Sequence, residues 1–214
     1  HMTKAVSTTP PGEAASRADA TRARIEEEAD RLFRSMGYQK TAVADIARAL
    51  GMSPANIYRF YPSKSAINEA IAERMLGAMA MELDAIAGGP GTAAERLRRL
   101  FSTLFEQKLA AFFAERRLYD MVTAAMDEHW GVIERHLGRV HAAIRRIIED
   151  GMRAGEFAAG LEPGPTAHLA MHAMLAWNHP AHLETCIARK GQTPEELRGQ
   201  VAAMTGFVLR ALRP

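Results

Sequence analysis

Apolar residues return every three or four positions along most of the chain, and no stretch alternates convincingly with period two. Ile25, Ala29, Leu32, Phe33 and Met36 form the first such stripe, with Glu26, Glu27 and Glu28 on other faces; this is the pattern of an amphipathic helix. Gly37 is a suitable stop, because glycine readily adopts the left-handed backbone that closes a helix. Thr41 is placed to cap a second, short helix carrying Val43, Ile46, Ala47 and Leu50 and ending at Gly51. Ser53-Pro54 opens a third, since the hydroxyl can accept from an early N–H and proline fits the first turn. Tyr61-Pro62-Ser63 interrupts it, and from Lys64 a long helix carries Ile67, Ile71, Met75, Met79 and Leu83 to the break at Gly88-Gly89-Pro90-Gly91.

Beyond that break, Thr92 and Glu95 form a capping box ahead of Leu97, Leu100, Phe101, Leu104, Phe105, Leu109 and Phe112. Helical patterns also occupy roughly 115–128 and the run Ile133, Leu137, Val140, Ile144, Ile147, Ile148, which stops at Gly151 or Gly155 before a loop. Pro165 to Arg189 is apolar on nearly every side between Leu169 and Trp177, implying burial by more than one neighbour, and Pro180 kinks or breaks it. Thr193-Pro194-Glu195-Glu196 combines a cap, an N-terminal proline and a capping box ahead of Leu197, Val201, Met204, Val208 and Leu212. Residues 3–16 are polar, contain proline and lack periodicity, and read as a flexible arm; His1-Met2 reads as a tag remnant. The expectation is an all-α chain of about nine helices: tag and arm over 1–16, a three-helix part over 17–64, and a larger helical part over 65–214.

Composition adds mainly exclusions. Hydrophobic residues make up 48% and charged residues 24% of the 214 positions, ordinary for a chain with a buried core. No run of about 18 apolar residues and no signal peptide is found, so neither a membrane partner nor secretion is expected. The single cysteine, Cys186, excludes an internal disulfide and reads as a small buried apolar group; a reducing cytoplasm fits. The 27 Lys plus Arg against 25 Asp plus Glu give a net charge of only +2, so totals do not announce a nucleic-acid partner. Their distribution does more: Lys40, Arg48, Arg59 and Lys64 face only Asp45 between Gly37 and Lys64.

That basic region coincides with the informative one. In TAVADIARALGMSPANIYRFYPSK, residues 41–64, small Ala47 lets two helices approach, Gly51 permits the bend, and Ile46, Leu50, Met52 and Ile57 share a core. Such a pair projects its second helix outward, into a major groove about 12 Å wide. Ala55, Asn56 and Arg59 are then candidates for base edges, while Ser53 caps the helix and Thr41, Tyr58 and Lys64 suit phosphate contacts. The stretch GYQKTAVADIARALGMSPANIYRFYPSK resembles the DNA-binding signature of the tetracycline-repressor (TetR) family, strongly so from about Arg22 to Ile67. In that family the residues matching Tyr58 and Lys64 meet phosphates and those matching Ala55 and Asn56 sit at the groove. Phe60-Tyr61 and Pro54 depart slightly from the family pattern.

Dimers gain specificity by placing two recognition helices about 34–36 Å apart on a palindromic operator, and the last two apolar helices are the candidate interface for a homodimer. The resemblance further implies a helix-turn-helix DNA-binding domain over 17–64 and a ligand-sensing and dimerisation domain over 65–214, with a pocket for a small apolar or amphiphilic ligand in its helices. Met75, Met79, Phe105, Leu109, Phe112, Met121, Met126, Trp130 and Trp177 are candidates to line it. A dimer whose C-terminal part is only a scaffold is the alternative. His168 and His172 lie four apart on one face, but no acidic residue or cysteine is placed beside them to complete a shell, so no metal is expected. Nothing in the sequence nominates a cofactor, a nucleophile or a catalytic base, so the reading is a repressor and not an enzyme.

Overall fold

The computed structural model describes residues 11–114 and 131–214, and contacts divide the chain into two compact units, His1–Ile71 and Ala72–Pro214. Among the described residues every element is helical.

The first unit contains α1 (Pro11–Met36), α2 (Val43–Leu50), α3 (Pro54–Tyr58) and the start of α4 (Lys64–Ala87). Its interior is the stripe seen in the sequence: Ile25, Ala29, Phe33, Ile46, Ala47, Ile57, Ile67 and Ile71 are each at most 1% exposed. Gly51 takes φ 66° at the end of α2 and the Met52 N–H reaches back to the Ala47 carbonyl at 2.8 Å, closing the helix with a left-handed turn. Two expectations change. Helix α1 begins at Pro11, so residues 11–16 are not part of a free arm; Glu13, Ala14 and Ala15 are good helix formers, and proline is tolerated in a first turn. Thr41 does not cap α2. Ala42 occupies that position, its N–H donating to the Asp45 carboxylate at 2.9 Å, while the Thr41 hydroxyl donates inward to the Gly37 carbonyl at 2.8 Å.

The second unit holds the rest of α4, then α5 (Ala93–Ala114), α6 (Gly131–Arg153), α7 (Pro163–Ala173), α8 (Leu175–Asn178), α9 (Pro180–Glu184), a π-helical turn (Thr185–Arg189) and α10 (Pro194–Ala211). Helix α5 lies at the centre, packed against α6, α8, α9 and α10. Leu97, Leu100, Phe101, Ile144, Ile147, Ile148, Ala167 and Leu197 are fully buried. The Thr92–Glu95 and Thr193–Glu196 capping boxes form as expected, their side-chain and backbone contacts running from 2.8 to 3.2 Å. A second cap comes from far along the chain, where the Glu156 carboxylate accepts from the Ala93 and Ala94 N–H groups at 3.1 and 3.3 Å. Arg96, nearly buried, ties three segments together by donating to the Ala87 carbonyl at 2.7 Å and to Asp150 at 2.8 Å. Gly151 is required by packing: a Cβ there would lie 2.3 Å from the Phe157 ring.

Ten α-helices and a π-turn among the described residues replace the nine expected, because Pro165–Arg189 is split more often than its periodicity suggested. His179 is extended (φ −91°, ψ 124°), as the residue before Pro180 must be to avoid a steric clash, and this separates α8 from α9. The expected double-sided burial between Leu169 and Trp177 is not found among the described residues either, since Leu169 is 70% and Leu175 51% exposed. The pattern expected over 115–128 lies outside the described residues. No described helix is long and apolar enough to cross a membrane.

Candidate functional site

Helix α3 is short because its sequence allows little more: Ser53 caps it, accepting from the Asn56 N–H at 3.2 Å, and Tyr58 ends it before the Tyr61-Pro62 corner. One face is fixed by Ile57, fully buried against the unit's core. The opposite face consequently points outward. Ser53, Ala55, Tyr58 and Arg59 are exposed and Asn56 half-buried. The structure thus gathers most of the candidate DNA-contacting side chains onto one outward surface, to which Lys40 adds a positive charge.

Two of the candidates sit differently. Thr41 is only 1% exposed, and its hydroxyl donates to the Gly37 carbonyl in the loop after α1. Lys64 is half-buried, its ammonium donating to the Tyr38 carbonyl at 2.8 Å and lying 4.4 Å from the centre of the Tyr38 ring. It braces the loop between α1 and α2 and, with Lys40, Tyr58 and Ser63, borders a shallow surface depression.

In the second unit a cavity of about 350 Å³ lies among α4, α5, α6, α7 and α8. Its walls are largely apolar, from residues such as Leu76, Phe101, Leu104, Ile133, Val140, Ile144 and Met171, and a few polar groups converge on it: Lys108, His136, His168, His172, Asn178 and His179. His136 is 5% exposed, and neither ring nitrogen has a hydrogen-bond partner. Burial, with Lys108 nearby and Arg139 adding to it, pushes its pKa down to about 4; the adjacent Leu76 backbone opposes the shift without reaching hydrogen-bond geometry. Burial likewise holds the Lys108 ammonium below the usual lysine range. Asn178 donates to the Met174 carbonyl at 3.0 Å and leaves its amide oxygen unpartnered.

None of the described residues expected to line a pocket borders this cavity. Phe105 and Leu109 are buried in the core, and Phe105 also borders a separate recess with Arg98, Arg198 and Thr205. Met75 and Met79 are half-buried on α4; Phe112 stacks edge-on against Phe113 with centroids 5.3 Å apart; Trp177 packs on the core and donates to Gln200 at 3.1 Å. Met121, Met126 and Trp130 lie outside the described residues. His168 and His172 do come together, rings 4.2 Å apart, but among the described residues no three metal-ligating side chains form a group fit for an ion.

Residues 25–71 match the family described as bacterial regulatory proteins, tetR family, and residues 93–196 match the tetracyclin repressor-like C-terminal domain. The chain belongs to the TetR family. Solved structures share the fold. A TetR/AcrR-family regulator from Thermobifida fusca is 22% identical, with a TM-score of 0.64 over 91% of this chain and 100% of that one. FadR of Bacillus subtilis, in complex with stearoyl-CoA, is 18% identical with a TM-score of 0.60 over 88% and 95% of the two chains. Thermus thermophilus FadR, a TetR-family repressor in complex with lauroyl-CoA, is 20% identical with a TM-score of 0.59 over 88% and 91%. The comparison with curated proteins finds no match. As a TetR-family protein the chain is a DNA-binding regulator of transcription, with the helix-turn-helix in its first unit and the family's C-terminal domain in its second.

Proposed function

We propose that this TetR-family protein is a homodimeric repressor that grips a palindromic operator and is released by a small apolar or amphiphilic ligand held in the second unit. The observation that carries the DNA-binding part is the outward face of α3, where Ala55, Tyr58 and Arg59 are exposed around the buried Ile57. On this reading Asn56 and Arg59 read base edges and Tyr58 and Lys64 hold phosphates. Selection from random duplexes tests it: the expected product is a palindrome whose half-sites are about one helical turn apart. Asn56→Ala loses roughly 1–3 kcal/mol on that site and little on unrelated DNA. An unsymmetrical product, or equal losses on both DNAs, would contradict the assignment.

Dimerisation through α7 and α10 is supported by the apolar surface each presents, Leu169 being 70% and Phe207 60% exposed. Light scattering at micromolar concentration should return twice the 23.5 kDa chain mass; a monomer mass overturns this interface.

The apolar walls and converging polar groups of the cavity support ligand control, and two structural relatives hold acyl chains linked to coenzyme A. The ligand acts by binding more tightly to dimers whose headpieces are misplaced for the operator, shifting the population away from DNA. Ligand-dependent loss of operator affinity is therefore the expected result in a mobility-shift titration.

A further inference from the structure

We infer that the cavity selects an apolar ligand bearing a free anionic head, a carboxylate, which it seats against Lys108 with His136 beside it. This rests on the ligand-pocket reading and sharpens it to a chemical class.

Three observations combine. Lys108 follows Phe101 and Leu104 along α5 on the strip of that helix that borders the cavity, so a cation stands where the sequence pattern places an apolar side chain. Among the described residues no carboxylate pairs with it. His136, from α6, presents an imidazole 95% buried with both nitrogens unsatisfied, close enough to Lys108 for the ammonium to disfavour protonation of the ring. An apolar wall surrounds both groups.

A desolvated cation without a partner is costly, as is a buried imidazole with no hydrogen bond, and each persists only if something repays it. An incoming carboxylate repays both. It supplies the ammonium with a counter-charge in a medium where pairing is strong, and it accepts a hydrogen bond from an imidazole N–H. A second cation would raise the existing penalty, and a neutral ligand would leave Lys108 unpaired. The anion must also be attached to an apolar body, because the remaining walls offer little to a polar one. His168 and His172, exposed at the α7 side of the cavity, add polar contacts at its rim.

Isothermal titration of the full-length protein with octanoate, dodecanoate and 2-naphthoate, each against its own methyl ester, tests the inference. The ester keeps the apolar body and removes the charge. Wild type is expected to bind at least one acid about tenfold or more tightly than its ester, the order of a charge-assisted hydrogen bond. Lys108→Met should abolish that preference while leaving ester affinity within about twofold. Because the variant removes an unpaired, half-buried cation, its melting temperature should match or exceed that of wild type; if it does not fold, Lys108→Gln replaces it. Acids and esters that bind alike, or a preference that survives in the Lys108 variant, overturn the anionic assignment and leave the pocket standing. If no member of either series binds, the inference and the ligand-pocket reading fall together.

Discussion

Acidifying the protein from pH 7 to pH 4.5 should cost the second unit about 2–3 kcal/mol through His136 alone, and His136→Phe should remove that loss. In the folded chain the His136 pKa is lowered from 6.5 to about 4 by burial, by Lys108 on α5 and by Arg139 on α6, against the opposing Leu76 backbone. Protonation is therefore harder in the folded than in the unfolded chain. Above pH 6.5 both states are neutral at this site and stability is unaffected. Between 6.5 and 4 the unfolded chain takes up the proton first, so stability falls as the pH falls, by roughly 3 kcal/mol once the pH is below both values. Urea denaturation of wild type and His136→Phe at the two pH values measures the difference. Phenylalanine fills a similar space, carries no nitrogen to leave unsatisfied and does not titrate. Equal acid sensitivity in the two proteins would mean that His136 is not buried neutral and that the cavity's polar wall is differently arranged.

The same residue shows what was legible in the sequence and what was not. Caps at Ser53, Thr92 and Thr193 were readable because the chemistry is local: a short side chain reaches an N–H two or three residues on. The outward face of α3 was readable because one buried residue, Ile57, fixes the rotation of so short a helix. The cap on α2 was misassigned because Asp45 satisfies the Ala42 N–H from the other side, which frees Thr41 to turn inward. Residues 11–16 lacked an apolar stripe, and their helix follows from propensity and continuity with α1 instead.

The cavity lay at the opposite extreme. Phe105, Leu109 and Trp177 pack in the core, whereas the polar groups that border the cavity are residues that interrupt apolar stripes. Lys108 falls in register with Leu97, Phe101 and Leu104, and His136 with Val132 and Val140. A charged or titratable group at a core position is a defect in a scaffold and a common device in a binding site. That contrast was present in the sequence. What was absent is which of several apolar helices would face one another, since that depends on the splits at Met174 and His179.

Phe33→Ala should destabilise the first unit by about 3–5 kcal/mol and abolish operator binding while sparing the second unit. The side chain is fully buried and meets the Tyr38 ring edge-on at 5.1 Å, with planes 76° apart. Tyr38 in turn carries Lys64 on its carbonyl and its ring face, and the backbone carbonyl of Phe33 receives the Gly37 N–H at 2.9 Å. Truncation thus leaves a void beneath the loop that joins α1 to α2 and loosens the support of a candidate phosphate contact. Small domains have only about 5–15 kcal/mol in hand, and a unit of this size buries a smaller share of its surface than a larger one. The loss therefore removes much of its margin. Calorimetry should show an early transition in the variant, with acid binding and oligomer mass preserved below the second. Phe33→Leu, which keeps most of the volume, should retain most of the stability and the operator affinity. If Phe33→Ala bound the operator with wild-type affinity, the Tyr38–Lys64 brace would have no part in presenting α3. Loss of acid binding together with loss of the operator would instead mean that the two units do not fold independently.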